Sequence, residues 1–350
     1  MNRRSRRVVT IAPNGRVEVQ ERDVPQIGDG MVFVRVRASL LSPGTELSRF
    51  HGVDRTAKVE GEATPFGYQC SGDVVELGSG CSKVALGQRV ACMGWGTALH
   101  SDYVCVPQNL VVPLPEGVSY EEGAFVALGT TALHAVRRAC LTLGENVLVC
   151  GLGIVGQLAA QLSEVSGCFV LASDPMPLRR SLAERCAIAT TEKTGEELVN
   201  EARAFTRERG MDCSMLCFGG DATRSMRHIV KTMQLAPDRH RWGRVVIVGQ
   251  AGINVENFVG LFDNLDVISV ARTGPGYKDP AWESGEDYTP VFVRWTTRDN
   301  MALFLDLVRR KKVNVSNLIT DRFPVERADE ACYALIDHPA EHLGVVLAYE

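Results

Sequence analysis

Along the first third of the chain, apolar residues come in short β-branched runs separated by Gly, Pro and Asp clusters. The runs are Val8 to Ile11, Val17 to Val19, Met31 to Val36, Gly72 to Glu76, Arg89 to Cys92, Tyr103 to Val106 and Leu110 to Val112. Breaks of this kind, mostly about ten residues apart, predict a small β barrel or sandwich. One long irregular stretch, Ser42 to Pro65, interrupts the pattern and opens with Ser42-Pro43-Gly44-Thr45-Glu46. Long loops on a β scaffold tend to carry function.

The period changes at Ser119. This residue is a good N-cap, acids fill the next turn, and apolar residues continue at helical spacing through Leu133 and Val136. Beyond that helix, strand and helix signals alternate. Asn146 to Cys150, Phe169 to Ser173, Cys213 to Cys217, Arg244 to Val248 and Asp266 to Val270 read as strands, and Asp221 to Leu235 as a helix. Such alternation predicts a parallel sheet covered by helices on both faces. Residues 273–296 are less regular. A helix over Arg298 to Lys311 follows, with Met301, Phe304, Leu305 and Val308 as its apolar stripe. A strand from Leu318, a helix over Arg327 to Ile336 and a strand over Gly344 to Tyr349 complete the pattern.

The sharpest local signal lies where Asn146 to Cys150 runs into Gly151-Leu152-Gly153-Ile154-Val155-Gly156. A helical pattern follows, carried by Val155, Leu158, Ala159 and Leu162, and the next strand ends at Asp174, 23 positions after Gly151. Strand, glycine triplet, helix, strand and acid in that order predict a dinucleotide-binding unit. Gly151 permits the tight turn. Gly153 lets a pyrophosphate approach the backbone at Ile154 and Val155, and Gly156 lets helix pack on strand. The helix start turns free N–H groups toward the phosphates. A carboxylate at Asp174 suits the ribose hydroxyls of NAD and repels a 2′-phosphate, although Arg179 and Arg180 close behind it soften that preference.

Composition narrows the class. The chain has 350 residues, enough for two domains, with 45% hydrophobic and 23% charged residues, as in an ordinary globular protein. A net charge of −4, from 38 basic and 42 acidic residues, argues against a general nucleic-acid partner. The basic start, Met1 to Arg7, reads as a solvated end, since the apolar run after it is too short for a signal peptide. No apolar run reaches the roughly 18 residues of a membrane helix. Eleven cysteines are spread through apolar runs with no Cys-x-x-Cys, which predicts reduced, buried thiols and a cytoplasmic setting.

A β domain, a dinucleotide unit and a C-terminal return together resemble the medium-chain dehydrogenase/reductase superfamily. The resemblance is carried by Gly67-Tyr68-Gln69-Cys70-Ser71-Gly72, Val84-Ala85-Leu86-Gly87-Gln88-Arg89-Val90, Ala127-Leu128-Gly129-Thr130-Thr131-Ala132 and the glycine triplet. It implies an α/β protein with a GroES-like β-barrel catalytic domain over 1–122, completed by 297–350. A Rossmann doubly wound parallel-sheet domain binding NAD would occupy 123–296. The three positions that hold zinc in metal-dependent relatives appear here as Pro43, Tyr68 and Ala127, and the acid after the histidine has become Gln69. Pro and Ala offer no side-chain donor and a neutral Tyr is a poor ligand. The four-Cys loop of a structural zinc is missing as well. No catalytic or structural metal is therefore expected. Ser42 to Glu46, His100 before Asp102, Gly274-Pro275-Gly276-Tyr277 and Val293-Arg294-Trp295-Thr296 further resemble the zinc-less half of bi-domain oxidoreductases, a group associated with sugars and cyclitols.

Without zinc, other groups must carry the charge that develops on the substrate oxygen. Tyr68 is the first candidate, as a phenol donor that a nearby cation would make a better acid. Thr45 matches the proton-relaying hydroxyl of zinc-dependent relatives. Glu46 is read either as a base or as a salt-bridge partner of Arg49 or Arg294. His100 is read as a general acid/base or as a hydrogen-bonded histidine at a strand end, and His51 as an exposed loop residue. Tyr277, Trp282, Arg294 and Trp295 suit a wall for a sugar ring, or else core and dimer contacts. Thr131 and Gly249 are expected near the nicotinamide and its ribose.

These readings favour a zinc-independent NAD(H) oxidoreductase that interconverts an alcohol and a ketone of a small, sugar- or cyclitol-like molecule. The alternatives are an enoyl or quinone reductase, whose relatives prefer NADPH, and a non-catalytic nucleotide-binding protein. A homodimer paired through Asp266 to Val270 is the family expectation.

Overall fold

The computed structural model describes residues 5–58, 60–289 and 291–350. It divides into two compact units. The first comprises the residues up to Thr130 together with Thr273–Lys311 and Leu318–Glu350, and the second Thr131–Arg272 with Lys312–Asn317. The segment 273–296, expected with the cofactor domain, thus lies in the first unit. So do 123–130.

In the first unit, strands β1 (Ser5–Ile11), β2 (Val17–Asp23), β3 (Met31–Leu40), β4 (Thr64–Pro65), β5 (Gln69–Leu77), β6 (Arg89–Met93), β7 (Tyr103–Pro107) and β8 (Val111–Pro113) follow the apolar runs closely. β2, β1 and β4 form a small antiparallel sheet. A larger sheet is built on β3, which pairs antiparallel with both β5 and β7. Val32, Val34 and Val36 alternate along β3 and are fully buried, the period-2 pattern of a half-buried strand.

The helix expected from Ser119 through Val136 is instead two, α1 (Tyr120–Gly123) and α2 (Val126–Ala139). Ser119 and Glu122 form a reciprocal capping box at the start of α1. The break falls at Ala124 and Phe125, both fully buried, so burying these side chains takes precedence over a continuous helix.

The second unit carries β9 (Asn146–Cys150), α3 (Ile154–Val165), β10 (Phe169–Ser173), α4 (Pro177–Glu184), β11 (Ala189–Thr191), α5 (Gly195–Phe205) and β12 (Cys213–Leu216). Then come a short β13 (Gly220–Asp221), α6 (Thr223–Thr232), a hairpin of β14 (Gln234–Leu235) and β15 (Arg241–Trp242), β16 (Arg244–Val248), β17 (Ala251–Gly252), α7 (Phe258–Phe262) and β18 (Asp266–Val270). Six strands form one parallel sheet in the order β11-β10-β9-β12-β16-β18. Counted along the chain this is 3-2-1-4-5-6, the doubly wound order of a Rossmann fold. The order reverses beside β9, so the glycine loop leaves the sheet at the switch point where such folds bind ligands. β18 is an edge strand.

The chain returns to the first unit through α8 (Pro280–Ser284) and α9 (Thr297–Arg309) and later through β19 (Ile319–Pro324), α10 (Ala328–Asp337) and β20 (Gly344–Ala348). Met301, Phe304, Leu305 and Val308 of α9 are all buried, as their spacing predicts. β20 lies parallel to β19 and antiparallel to β3, opposing Leu347 to Ser39. This pairing brings the last residues of the chain beside the start of the Ser42 loop. Among the described residues, no helix is long and apolar enough to cross a membrane.

Candidate functional site

In the first unit, β3 ends at Leu40 and the chain enters one wide helical turn over Pro43–Leu47. The turn folds Glu46 back under its own start. Its Oε2 accepts the backbone N–H of Ser42 at 2.7 Å and faces His100 Nε2 at 3.3 Å. Both side chains are fully buried. Glu46 therefore pairs with neither Arg49 nor Arg294. Arg49 lies over the Phe50 ring and Arg294 over the Trp295 ring. The physical reason is local: the Ser42 N–H and the imidazole lie within the fold, while both guanidiniums belong to exposed residues.

His100 sits in the interior rather than at a surface. Its Nδ1 faces Ser39 Oγ at 2.8 Å, and Ser39 Oγ faces the Tyr349 hydroxyl at 2.9 Å. The Phe66 ring meets the imidazole edge-on. Tyr68, half-buried, donates its hydroxyl to Ser42 Oγ at 2.7 Å, and Thr45, exposed at the turn, also hydrogen-bonds it. Three hydroxyls thus gather above a buried carboxylate.

The expectation of a cation that sharpens Tyr68 as an acid is corrected. Burial first, and then the charge of Glu46, push the phenol well above its ordinary value, outweighing the hydrogen bonds to Ser42 and Thr45. Tyr68 is a neutral donor. Gln69 beside it is fully buried and tied to backbone, donating to the Leu40 carbonyl and accepting the Leu128 N–H at 3.2 Å. A zinc ion does not fit this donor set. Pro43 and Ala127 have no side-chain donor, and the Tyr68 phenol is held protonated.

Trp95, which the sequence reading passed over, stacks on Tyr68 with ring centroids 6.1 Å apart. Its backbone N–H donates to the Tyr277 hydroxyl at 2.9 Å, and half of the residue is exposed. The only cue was a large aromatic between two glycines, Gly94-Trp95-Gly96. Tyr277 belongs to this aromatic group. Trp282 does not: it is buried against Tyr288, and its carbonyl accepts from Asn109 Nδ2 at 2.6 Å. Trp282 is a core residue. Trp295 is exposed, and His51 donates Nδ1–H to the Ile336 carbonyl at 2.8 Å.

In the second unit, Gly151 holds φ +90° beside Cys217 and Phe218, a conformation and a closeness that favour glycine. A methyl on Gly156 would collide with the Gly151 carbonyl. Gly153 differs, since the space about its Cα is open. It caps α3 without any side-chain bond to the first turn, so the first N–H groups of the helix have no intrahelical partner and no cap among the described residues. Ile154 is buried and Val155 half-buried at that turn.

Asp174, 2% exposed, accepts the Leu152 N–H on Oδ2 at 2.7 Å and the Met176 N–H on Oδ1 at 2.9 Å. Arg179 Nη1 lies 3.5 Å from the same Oδ2. The carboxylate therefore braces the glycine loop as well as standing at the strand end. Arg180 bonds the Asp174 and Pro175 carbonyls and Glu192. Thr131 is half-buried in α2, and Gly249 turns the chain after β16 at φ +96° with open space around it. An open Gly153 cradle before free N–H groups suits a pyrophosphate.

Residues 28–116 match the alcohol dehydrogenase GroES-like domain. The uncharacterized zinc-type alcohol dehydrogenase-like protein YphC of Escherichia coli K12 is 26% identical over 280 residues, covering 68% of this chain and 75% of that protein. L-galactonate-5-dehydrogenase of the same strain is 24% identical over 332 residues, covering 87% and 88%. The crystal structure of 2R,3R-butanediol dehydrogenase from Bacillus subtilis superposes with a TM-score of 0.78 at 20% identity, covering 99% of this chain and 100% of that one. The domain match and the relatives support the medium-chain dehydrogenase/reductase superfamily. The fold is a GroES-like domain with a Rossmann-like parallel sheet.

Proposed function

We propose that this chain is a zinc-independent, NAD(H)-linked oxidoreductase that interconverts an alcohol and a ketone on a small polyhydroxylated molecule. Oxidoreduction of an alcohol is supported by relatives named as dehydrogenases of galactonate and butanediol. The observation that carries the reading is the open Gly153 cradle before the uncapped start of α3, braced by Asp174.

Bound NAD supplies the hydride acceptor. The N–H groups at Ile154 and Val155 would hold its pyrophosphate, with Asp174 and Arg179 at the adenosine end and Thr131 and Gly249 toward the nicotinamide. In the first unit, Tyr68 and Thr45 would hydrogen-bond the substrate oxygen, Tyr68 as a neutral donor to the carbonyl. Glu46 and His100 lie beneath them as the buried acid and imidazole. Support for zinc independence comes from Pro43, Tyr68 and Ala127, none of which offers an ionised donor. The Asp174 carboxylate supports NAD over NADP. The protein would act as a cytoplasmic homodimer joined through the edge strand β18.

NADH and NADPH titrations and a polyol and ketone panel test the proposal, together with metal analysis of the purified protein. Tight NADH binding, weaker NADPH binding and turnover of a polyol are expected, and Tyr68→Phe should lower kcat by about 10²-fold or more. Equal or tighter NADPH binding would favour the enoyl or quinone reductase. NADH binding with no turnover of any polyol, ketone, enone or quinone would favour a non-catalytic protein. About one tight zinc per chain would sink the zinc-free claim.

A further inference from the structure

Trp95 is a large aromatic that the fold displays rather than hides. It stands at the end of the antiparallel pair β5–β6, in which Cys70 opposes Cys92 and Gln69 opposes Met93. One step further the Gly94 N–H donates to the Tyr68 carbonyl at 2.9 Å, so Tyr68 and Trp95 leave neighbouring strand ends together. Their rings stack with 28° between planes. Tyr68 is the proposed donor to the substrate oxygen. The atoms bonded to that oxygen therefore come beside the indole.

The indole is also fixed in place. The Tyr277 hydroxyl accepts its backbone N–H. The Gly94 carbonyl just before it accepts from Thr97 Oγ1 at 3.2 Å and from the Ala98 N–H at 2.9 Å. Gly94 itself takes φ +143°, and a methyl there would meet Thr97 Oγ1. Yet 52% of Trp95 stays exposed. An aromatic held this way gives up little conformational freedom when a ligand covers it.

We infer that Trp95 is a specificity-determining residue: its indole is the platform on which a cyclic polyol lies while one ring oxygen substituent reaches Tyr68. The inference rests on the dehydrogenase reading above and narrows its small polyhydroxylated molecule to a closed ring. Two features meet here. The hydroxyls of Tyr68, Ser42 and Thr45 gather at the tip of the phenol, and an aromatic face lies against its ring. A closed polyol is divided in the same way, with hydroxyls at its rim and C–H bonds on its faces. Its oxygens draw charge from those C–H bonds, which leaves the hydrogens positive against the negative face of an indole. An open-chain polyol turns about every C–C bond and must freeze those rotations to lie flat, a cost that ring closure removes beforehand.

The other aromatics expected as a sugar wall do not offer this surface. Trp282 is buried, and Trp295 carries the Arg294 guanidinium over its ring at 4.7 Å from the centroid. Lys278 likewise holds its ammonium 5.1 Å from the Tyr277 ring centroid. That leaves Trp95 as the open ring beside Tyr68. Tyr277 acts through it as a positioning residue, holding its backbone.

Two experiments on the full-length chain test the inference. The first needs no turnover. myo-Inositol and D-glucitol carry the same number of hydroxyls, the one closed into a ring and the other open. In ¹⁵N-indole NMR, with and without NADH, the signal lost in Trp95→Phe identifies Trp95. myo-Inositol or methyl α-D-glucopyranoside should shift that signal saturably, and D-glucitol at the same concentration should shift it far less. A signal that neither cyclic probe moves, or that D-glucitol moves as far, would overturn the inference. The second experiment compares kinetics on the cyclic and open-chain members of the panel. Trp95→Ala should raise KM for a cyclic substrate far more than it lowers kcat, and should cut the cyclic-to-open-chain ratio of kcat/KM by about 30-fold or more. Trp95→Phe keeps a flat ring, covers the case that Trp95→Ala misfolds, and should recover much of the loss. Tyr277→Phe should move KM in the same direction by less. Equal losses on cyclic and open-chain substrates in Trp95→Ala, or a wild type that prefers open chains, would overturn the inference with the dehydrogenase reading intact. Failure of the wild type on every substrate would sink that reading instead, and the indole signal would still decide whether a ring binds at Trp95.

Discussion

Replacing Gly153 by Ala separates a loop that cradles a ligand from one that merely turns. At φ −63° and ψ 177° the backbone suits any residue, and no atom lies within 4 Å of the added Cβ. The fold should lose nothing. It should gain ~0.4–1 kcal/mol, because alanine restricts the unfolded chain. Binding should respond in the opposite sense. If a pyrophosphate rests against this Cα, the methyl pushes it from the N–H groups and removes one charge-assisted hydrogen bond, worth ~1.5–3 kcal/mol. At about 1.4 kcal/mol per tenfold, the NADH Kd should rise about 10- to 150-fold. Titrating NADH against tryptophan fluorescence reads the binding, and a thermal melt of the same sample reads the fold. NADH binding as tight as wild type would refute the reasoning. So would a drop in Tm, since it would mean that the open space is filled.

The companion Gly156→Ala should behave differently, since its methyl meets the Gly151 carbonyl: a loss of ~1–3 kcal/mol in urea unfolding is expected, and unchanged stability would count against that close approach. Asp174→Ala should unpin the Leu152 and Met176 N–H groups, costing ~1–3 kcal/mol for each left unbonded, and should speed amide exchange at Leu152; slow exchange there would show that the brace is dispensable. Trp282→Ala should destabilise by ~3–5 kcal/mol as a buried aromatic, with no effect on NADH affinity beyond unfolding. Burial pushes the Cys150 and Cys213 thiols up to about 12. The unfolded chain loses these protons first, at about pH 8.5, so stability is full below that pH and falls as pH rises toward the folded values. Each thiol contributes a slope of up to ~1.4 kcal/mol per pH unit. Urea melts from pH 8 to 10.5 should show the decline, and a level profile would contradict it.

Much of the fold was legible because its cues are local. Gly151 to Gly156 and Asp174 lie within one strand–helix–strand stretch, and the α9 stripe repeats every third or fourth residue. The break between α1 and α2 was not legible, since it depends on what Ala124 and Phe125 pack against. The chemistry of the first unit was legible only as residue types. Glu46 and His100 were named, but their partnership spans 54 positions, and Ser39 with Tyr349 spans 310. No periodicity reports such a meeting. Trp95 and Trp282 show the same limit. Both are aromatics near glycine or proline, and only tertiary packing tells the exposed stacking partner of Tyr68 from the core residue.

The pairing of β20 with β3 has a consequence for biosynthesis. A ribosome adding roughly 5–20 residues per second needs about 15–60 s to cover the 310 positions between Ser39 and Tyr349. Throughout that interval the parallel-sheet unit can mature while the nascent β sheet waits with the Ala38 to Leu40 end of β3 lacking its β20 neighbour. The growing polypeptide is most open to misassembly and to chaperone capture in this window, and arrival of the final strand closes it.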